Sequence, residues 1–438
     1  MKRFKVCLAV LMIAMMMGGS AWAWNAADHV KVAPNGKGDL LIFPYFFAYP
    51  GDYSTKLTVI NTSNERSVVA KVVYRSYNWS QELLDHLIFL SPNDVWTGWL
   101  VNVNGVARLQ SNDDSILGRM PSGTSFAVDE DFGNYTPVDE PLKAPKCSDD
   151  TNTMGYIEII EAASRLESNA ATGYEPGMRV AKRHIYDWYY KYVDNINIAS
   201  GLYAPANVLT GYQENTFGSG ATLKQANVFA DYRNETKLEI SATTFLGLLC
   251  NNTLAEVEAA MAKSNVALPY IAKNNGDYSV HIFNFPTKAS LVNQNSTCSY
   301  YLPYDASPYW LLVNNKCEGF SQSIYDLSEN KVTGTDTPFS PKTSLKSYMC
   351  GEVQFNIQGY SNPAYTEGWI RYDWDKTAAT KNGKTQSGTP ISYTGTPVLT
   401  SVLFWSFERS NPAEANAAYN DGVVSVANNV VPYYQYSE

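Results

Sequence analysis

Apolar and polar residues alternate with a period of two along much of the chain, which is the pattern of β-strands. In residues 66–76, four apolar side chains share one face of the predicted strand: Val68, Ala70, Val72 and Tyr74. Lys71 and Arg75 fall on the other face, so we expect a strand that is buried on one side. The polar run NTSNERS at 61–67 joins it to an earlier strand and favours a turn. The two strands form either a hairpin or a sandwich corner.

Further apolar or alternating runs, separated by turn residues, predict more strands. They lie at residues 84–90, 95–103, 155–163, 236–249, 278–286, 367–375 and 397–408. The run at 38–52 is broken by Pro44, which predicts an edge strand, because proline cannot donate a ladder hydrogen bond. Short strands with turn signals at this spacing favour immunoglobulin-like sandwiches.

Two segments interrupt this β pattern. Thr253-Leu-Ala-Glu256 is a capping box, and it predicts a helix over about 253–265. Residues 178–193 would suit either a helix or strands. We therefore predict a mainly β, antiparallel protein of immunoglobulin-like β-sandwich regions with one or two inserted helices. The N-terminal sandwich region is placed at 24–165 and a second β-rich region at 166–438.

The first 23 residues have the features of a secretory signal peptide. Lys2, Arg3 and Lys5 precede an apolar run, and Ala21-Trp22-Ala23 is a small-x-small cleavage pattern. The apolar run is shorter than the ~20 residues that span a bilayer, and no later segment reaches that length. We expect an exported protein at the cell surface or in the extracellular medium, with the periplasm less favoured and no transmembrane helix after cleavage.

Removal of that segment would take the formal net charge from −9 to about −12, because it holds three basic and no acidic residues. Phosphate binding needs a basic surface, so nucleic acid is not an expected partner. Only 17% of the residues are charged, while 31 are tyrosine. This balance suits an envelope or extracellular β protein, since tyrosine combines apolar area with a hydroxyl that can meet water.

Five cysteines follow the signal segment, so at least one cannot pair within the chain. Export makes disulfides the expected state, and Cys298 with Cys317 is the predicted pair, because they flank a loop of hairpin-like length. Metal binding is not favoured, since no C-x-x-C occurs and no cysteine lies near a histidine in the sequence.

Catalytic motifs are missing from the sequence. It contains no G-x-S-x-G, H-E-x-x-H, P-loop or G-x-G-x-x-G pattern, so no enzyme class is favoured and we predict no cofactor. His281 is interpreted as an ordinary strand residue, and Asp113 with Asp114 as part of a solvated loop. The candidate ligand-contacting aromatics are Trp369, Tyr372 and Trp374. They would form a sugar-stacking face or, alternatively, pack in the core beneath their strand.

Six segments of the chain resemble a group of secreted β-rich proteins from metal- and sulfate-reducing bacteria: NGKGDLLIFPYFFA, TKLTVINTSNERSVVAKVVYRS, ELLDHLIFLSPNDVWTG, HIFNFPTKASL, IYDLSEN and YTEGWIRYDW. The resemblance covers most of the chain after the signal segment. That group has no assigned activity or catalytic residues. The resemblance therefore implies an envelope or extracellular location and transfers no site.

Three functions fit these observations. The first is a non-catalytic cell-surface or extracellular structural protein that associates with itself or with other envelope proteins; many tyrosines, strand edges and an odd cysteine would allow this. The second is a carbohydrate-binding or carbohydrate-active β-sandwich protein, with glycans as partners. The third is an outer-membrane β-barrel, which the length allows but Pro432 and the terminal glutamate do not favour. We take the first as our prediction.

Overall fold

The computed structural model describes residues 30–51, 53–116, 137–167, 203–217, 220–232, 254–271, 278–291, 318–328, 347–349, 352–359, 367–374, 381–384, 390–406 and 423–427, with Lys182, Ile185, Tyr186 and Tyr189. This part of the chain is mainly β and builds several antiparallel sheets, so the predicted fold class is confirmed. Immunoglobulin-like sandwiches fit this arrangement. The predicted signal segment and the strand predicted at 236–249 lie outside the described residues.

Two sheets have six strands each, and all strands are numbered in chain order. Sheet I contains, from edge to edge, β11 (Gly220–Gln225), β10 (Leu209–Phe217), β3 (Tyr53–Asn61), β6 (Val95–Val103), β7 (Val106–Ser111) and β8 (Val138–Pro141). Sheet II contains β1 (Lys31–Val32), β12 (Asn227–Ala230), β2 (Leu40–Phe47), β9 (Met154–Leu166), β4 (Arg66–Ser76) and β5 (Glu82–Leu90).

Two further sheets have four strands each. Sheet III contains β18 (Val353–Gly359), β15 (Tyr278–Asn284), β23 (Leu399–Ser406) and β24 (Val423–Ala427). Sheet IV contains β14 (Asn265–Ile271), β19 (Glu367–Trp374), β16 (Glu318–Asp326) and β17 (Ser347–Met349). Two small ribbons pair β13 (Ala262–Lys263) with β22 (Thr396–Pro397), and β20 (Lys381–Lys384) with β21 (Pro390–Tyr393). Helix α1 spans Leu254–Met261, and a 3₁₀ helix spans Pro286–Leu291.

Three buried hydrophobic clusters place the large sheets in the layer order I, II, III, IV. The cluster between sheets I and II includes Leu57, Trp96, Val72 and Ile157. The cluster between sheets II and III, which α1 joins, includes Ile42, Tyr156, Ile282, Leu403 and Val257. The cluster between sheets III and IV includes Phe283, Val402, Ile370 and Tyr372. The chain therefore forms two sandwiches that are packed against each other through sheets II and III.

Sheet II is an inner layer, and this changes the interpretation of its strands. The predicted apolar face of β4 does lie in the cluster between sheets I and II. Its opposite face is buried as well, because Val69, Val73 and Arg75 are fully covered. The expectation of a strand buried on one side is therefore wrong. A local alternation can mark one core face, but it does not reveal a second layer packed on the other.

Pro44 lies in an inner strand rather than in the predicted edge strand. Strand β2 is third of six in sheet II, between β12 and β9. Its pairing with β9 is regular up to Phe43 and resumes at Phe46, so Pro44 falls in a bulge. Residues in a bulge are released from the ladder, and an inner strand can therefore accept a proline at that point.

The polar run at 61–67 is a sandwich corner. It leads from β3 in sheet I to β4 in sheet II. Ser63 N donates to Asn61 Oδ1 at 3.0 Å, and Arg66 N donates to Ser63 Oγ at 2.9 Å, as expected for a side-chain-stabilised turn. Asn61 Nδ2 also donates to Ser91 O at 2.8 Å, which ties the corner to the turn before β6.

The division between the two sandwiches differs from the boundary predicted near residue 165. Strands β10, β11 and β12, at residues 209–230, complete sheets I and II. Strand β10 pairs with β3 from Leu209 opposite Asn61 to Phe217 opposite Tyr53. The alternation of apolar and polar residues within a strand does not show which distant strand it pairs with. The boundary could therefore not be predicted from the sequence.

Both segments considered for helices contain helical residues. Helix α1 falls within the predicted span 253–265, although Thr253 itself is outside the described residues. Ile185, Tyr186 and Tyr189 are helical and pack on Phe89, which resolves the helix-or-strand alternative for these positions. Among the helices in the described ranges, none combines the length and apolar character needed to cross a bilayer.

Candidate functional surfaces

Among the sheets of the described residues, the layer order leaves two faces that no other sheet covers, at opposite ends of the stack. They are the outer face of sheet I and the outer face of sheet IV. No residue of either face belongs to a hydrophobic cluster of the described residues. The inner faces of all four sheets are used for packing, so these two outer faces are the candidate binding surfaces.

The outer face of sheet I carries aliphatic side chains that are well exposed. Val95, Val103 and Val106 are 38–41% exposed and Leu223 is 59% exposed. Val103 and Val106 are paired across the β6–β7 hairpin, next to the turn residues Asn104 and Gly105. Both turn residues have positive φ, as the tight two-residue hairpin turn requires. The hairpin therefore holds two apolar side chains in fixed positions at its tip.

Charged side chains on this same face lie next to side chains of the opposite charge. Arg108 Nε lies 2.6 Å from Asp139 Oδ1. Lys56 lies opposite Glu214 in the β3–β10 register, and its Nζ is 5.4 Å from the centroid of the Trp99 ring. The local charge of the face is therefore close to balanced, although the chain as a whole has a formal net charge of −9.

The aromatic trio predicted on β19 is divided between the two faces of sheet IV. Trp369 lies on the outer face, whereas Tyr372 and Trp374 are 0% and 2% exposed in the core between sheets III and IV. The three residues therefore do not form one sugar-stacking surface. Side chains alternate across a strand, so positions 369 and 372 point to opposite faces, and this parity was readable from the sequence. The partner of Trp369 is Tyr325, whose ring stacks on it at 3.9 Å between centroids.

The predicted disulfide between Cys298 and Cys317 lies outside the described residues. Cys147 is the only cysteine among the described residues. Its sulfur is disulfide-bonded and buried, and Gln81 Nε2 lies 3.1 Å from it. The pairing of Cys298 with Cys317 stays a prediction.

His281 is buried in the second sandwich, where it bonds the outer edge of β14, an edge strand of sheet IV within the described part of the chain. Its Nε2–H donates to Pro269 O at 2.9 Å, and Tyr372 OH donates to its Nδ1 at 2.7 Å. Ser279 Oγ, on the same strand as His281, bonds both the N and the O of Ile271. These side chains use backbone groups that an edge strand would otherwise offer to another chain.

We expect His281→Gln to destabilise the protein at neutral pH by about 1–3 kcal/mol, because buried hydrogen bonds are lost. Burial lowers the pKa of His281 from 6.5 to about 4. The stability that the neutral ring gives to the folded protein is thus fully present above pH 6.5, and it is lost as pH falls toward 4. Relative to the variant, the unfolding free energy of wild type in urea should therefore fall by about 2–3 kcal/mol between neutral pH and pH ~4.5, so that the difference closes or reverses.

Tyr372→Phe is the matched control for that experiment, because it removes a hydrogen bond to the ring but keeps the histidine. Its unfolding free energy should still fall between neutral pH and about pH 4.5, because the buried histidine that takes up a proton on unfolding is retained. A His281→Gln gap that stays constant over the same range would contradict the role assigned to the neutral ring.

A buried ion pair lies on the face of sheet II that meets the second sandwich. Arg75 and Glu158 are both fully buried, and Arg75 Nε and Nη2 are each 3.3 Å from Glu158 Oε2. Burial raises the pKa of Glu158, and the nearby Arg75 opposes that rise. Beside the pair, Tyr156 OH bonds Ser80 Oγ at 2.9 Å and Pro286 O at 3.4 Å, which links sheet II to the 3₁₀ helix. The ion pair is shielded from solvent and lies at the junction between the two sandwiches.

Asp113 and Asp114 form part of an ion cluster rather than the solvated loop expected from the sequence. Lys182 Nζ lies 2.6 Å from Asp114, 3.0 Å from Asp94 and 3.8 Å from Asp113. Burial would lower the pKa of Lys182, but the attraction of these carboxylates outweighs it and raises the pKa. The cluster fastens the helical residues near 182 to the first sandwich. The described residues hold no group of three or more histidine, cysteine or acidic side chains suited to a metal ion.

The fold and these surfaces define the chain as a mainly β protein of stacked antiparallel sheets. No protein-family model matches it, and neither a curated protein nor a solved structure is significantly similar to it. The chemistry of its two outer faces is therefore the basis on which a function can be argued.

Proposed function

We propose that this chain is a non-catalytic, exported structural protein of a bacterial cell surface or extracellular layer, and that it associates with further copies of itself through the outer face of sheet I. The observation that carries the proposal is the group of exposed aliphatic side chains on that face: Val95, Val103, Val106 and Leu223. Single exposed aliphatic residues are common on soluble proteins, and Val95 and Leu223 stand apart from the others, at the far end of β6 and on β11. Val103 and Val106 are adjacent across the β6–β7 turn, and this pair is the apolar contact that the proposal uses.

The charge arrangement on the same face favours a second copy as the partner. A protein with a formal net charge of −9 repels its own copies unless the contacting surfaces are locally balanced. Arg108 with Asp139, and Lys56 opposite Glu214, provide such a balance. Opposite charges that are paired within one face can remain paired when a second copy covers it, which limits the cost of desolvation.

The packing between the two sandwiches supports the role of a rigid structural unit. Sheets II and III share a hydrophobic cluster that also includes Val257 and Met261 of α1. Lys224 of sheet I also lies within hydrogen-bond distance of Ser401 of sheet III. With its layers fixed in this way, the chain is suited to be a rigid unit in an assembly.

The test is sedimentation velocity of the purified protein and of the double variant Val103→Lys/Val106→Lys. We expect wild type to form species larger than a monomer and the double variant to remain monomeric at the same concentration, because two buried charges would oppose contact. Val32→Lys is the matched control, since Val32 is 46% exposed but lies on β1 of sheet II. This control should assemble like wild type.

Two results would contradict the proposal. A wild-type protein that stays monomeric up to its solubility limit would exclude self-association, and equal assembly of the double variant would exclude the outer face of sheet I. Fractionation of the native cells tests the location separately. We expect high-molecular-weight material in the sheared-surface or extracellular fraction, and recovery from the cytoplasm would contradict export.

A further inference from the structure

We propose that Asn104 is a deamidation site, and that Asn102 restrains the reaction while the β6–β7 hairpin is intact. In this reaction the side-chain amide of Asn104 is lost and the residue becomes aspartate or isoaspartate. The chemical site depends only on the geometry of the hairpin. Its effect on assembly rests on the function proposed above, because the modified turn lies between Val103 and Val106.

The turn of the hairpin contains the residue pair that favours this chemistry. An asparagine deamidates when the backbone nitrogen of the next residue attacks its side-chain carbonyl carbon, and glycine shields that nitrogen least because it has no Cβ. Asn104 is followed by Gly105, and both residues are exposed at the tip. A Cβ placed on Gly105 would meet no atom within 4 Å, so the space beside this residue is open to water.

The reaction needs no reagent other than water. The nitrogen of Gly105 gives its proton to water or hydroxide and bonds to Cγ of Asn104, the bond from Cγ to the side-chain nitrogen breaks, and ammonia leaves. Water then opens the resulting cyclic imide at either of its carbonyl carbons. Opening at Cγ gives aspartate, and opening at the main-chain carbonyl gives isoaspartate, in which the main chain continues through the side chain.

The side chain of Asn104 is available for this attack. Within the described residues it makes no hydrogen bond, so it can rotate until its Cγ reaches the nitrogen of Gly105. Another Asn–Gly pair, Asn35–Gly36, is held differently. Lys37 N donates to Asn35 Oδ1 at 3.1 Å, which fixes that side chain in an Asx turn. We therefore expect Asn104 to deamidate faster than Asn35, which serves as an internal reference.

Asn102 restrains the attacking nitrogen. Its Oδ1 accepts from Gly105 N at 2.9 Å, and its Nδ2 donates to Ala48 O at 3.1 Å, so both ends of its amide are held. Gly105 N must give up the proton of this hydrogen bond before it attacks, and it must turn away from Asn102 to reach Asn104. Both turn residues are also held at positive φ, 54° for Asn104 and 85° for Gly105. The reaction is therefore slow in the intact hairpin and becomes faster when this hydrogen bond is lost.

Both products disrupt the apolar contact at the hairpin tip. Val103 and Val106 are paired across the turn and are 38% and 41% exposed. Aspartate places a negative charge beside this pair, and burial of an unpaired charge opposes contact with a second copy. Isoaspartate adds one carbon to the main chain, and a lengthened turn cannot keep the register that a two-residue turn sets. Deamidation thus releases copies of the chain from one another as the protein ages.

The test is peptide mapping by mass spectrometry of the purified full chain during incubation at mildly alkaline pH, which favours loss of the amide proton. We expect Asn104 to convert faster than Asn35 in wild type. Asn102→Ala should speed the conversion of Asn104 about fivefold, the rate equivalent of one ordinary hydrogen bond. Asn102→Asp is the matched control: it keeps an oxygen acceptor for Gly105 N, so its rate should stay near that of wild type.

Sedimentation velocity separates this site from the proposed self-association. Fresh wild type should assemble, and wild type with Asn104 converted should be monomeric at the same concentration. Asn104→Gly cannot deamidate and suits a turn with positive φ, so it should still assemble after the same incubation. If fresh wild type does not assemble, the proposed self-association is wrong, and the mass spectra still decide whether Asn104 is a deamidation site.

Three results would overturn the inference: Asn104 converts no faster than Asn35, Asn102→Ala and Asn102→Asp convert at equal rates, or converted wild type assembles like the fresh protein. Thermal unfolding of each variant shows whether it folds. Should Asn102→Ala fail to fold, the comparison of Asn104 with Asn35 in wild type decides.

Discussion

Replacing Arg75 with methionine is expected to lower the free energy of unfolding by about 3–5 kcal/mol, because the change leaves the buried carboxyl of Glu158 without its cationic partner. Both side chains are fully buried, so water cannot replace the lost contact. Methionine keeps an apolar stem of similar length, so most of the effect should come from the charge and not from a cavity. Burial already raises the pKa of Glu158, and loss of Arg75 would raise it further, so the carboxyl would be buried as the neutral acid.

Two further variants separate this effect from a general sensitivity to mutation. Arg75→Met/Glu158→Met removes both charges and should recover most of the lost stability, because a well-packed apolar pair can replace a buried ion pair. Arg108→Met breaks the exposed pair with Asp139 and should cost less than about 1 kcal/mol. Urea unfolding at neutral pH measures all three. If Arg75→Met lowers the free energy of unfolding no more than Arg108→Met does, the stability of the junction does not depend on the buried ion pair.

Glu161→Gln is expected to remove a pH dependence of stability that the wild-type protein should show. Glu161 is fully buried, and its Oε1 accepts a hydrogen bond from Ala206 N at 2.7 Å. Burial, with a smaller contribution from the neighbouring carboxylate of Asp39, raises its pKa from 4.5 to about 8. The folded protein therefore holds a proton that the unfolded chain releases. The stabilising contribution of the protonated group is complete below pH 4.5 and is lost as pH rises through 8.

The size of this effect follows from the width of that pH window. Relative to Glu161→Gln, the wild-type unfolding free energy should fall by about 1.4 kcal/mol per pH unit between those two pKa values, which sums to several kcal/mol. Glutamine can keep the bond from Ala206 N because its oxygen still accepts. Comparing urea unfolding of both proteins at about pH 5 and about pH 8 measures the slope.

The control for this experiment is Glu65→Gln, at an exposed carboxylate in the corner between β3 and β4. Its difference from wild type should stay constant across the same pH range, because an exposed carboxylate interacts similarly with water in the folded and unfolded chains. If the difference in unfolding free energy between wild type and Glu161→Gln is also constant over this pH range, Glu161 is ionised in the folded protein and the prediction is wrong.

Features that depend on a few neighbouring residues were predictable. The face of β4 formed by Val68, Ala70, Val72 and Tyr74 lies in a core, and α1 begins within the predicted span. The turn at 91–94 is also held by neighbouring residues, with Asp94 Oδ2 accepting from both Ser91 N and Ser91 Oγ. Alternation, capping and turn chemistry are local, so each leaves a readable pattern in the sequence.

Features that depend on distant pairing were not predictable. Pro44 suggested an edge strand, yet a bulge lets it lie inside sheet II. Asp113 and Asp114 suggested a solvated loop, yet Lys182 reaches them from another part of the chain. Tyr325 gave no signal as the partner of Trp369, because the two residues meet only through the β16–β19 register. In each case the deciding contact lies tens of residues away.

By itself, the sequence determined that this chain is mainly β and which side chains share a strand face, because a period of two assigns alternate residues to opposite sides. Only the tertiary structure decided which faces are covered. Arg75 and Lys71 lie on the same predicted polar face of β4, yet Arg75 is fully buried and Lys71 is partly exposed. The physical reason is that burial depends on the layer packed above a residue, and the stacking of sheets I to IV results from long-range pairing that local periodicity does not encode.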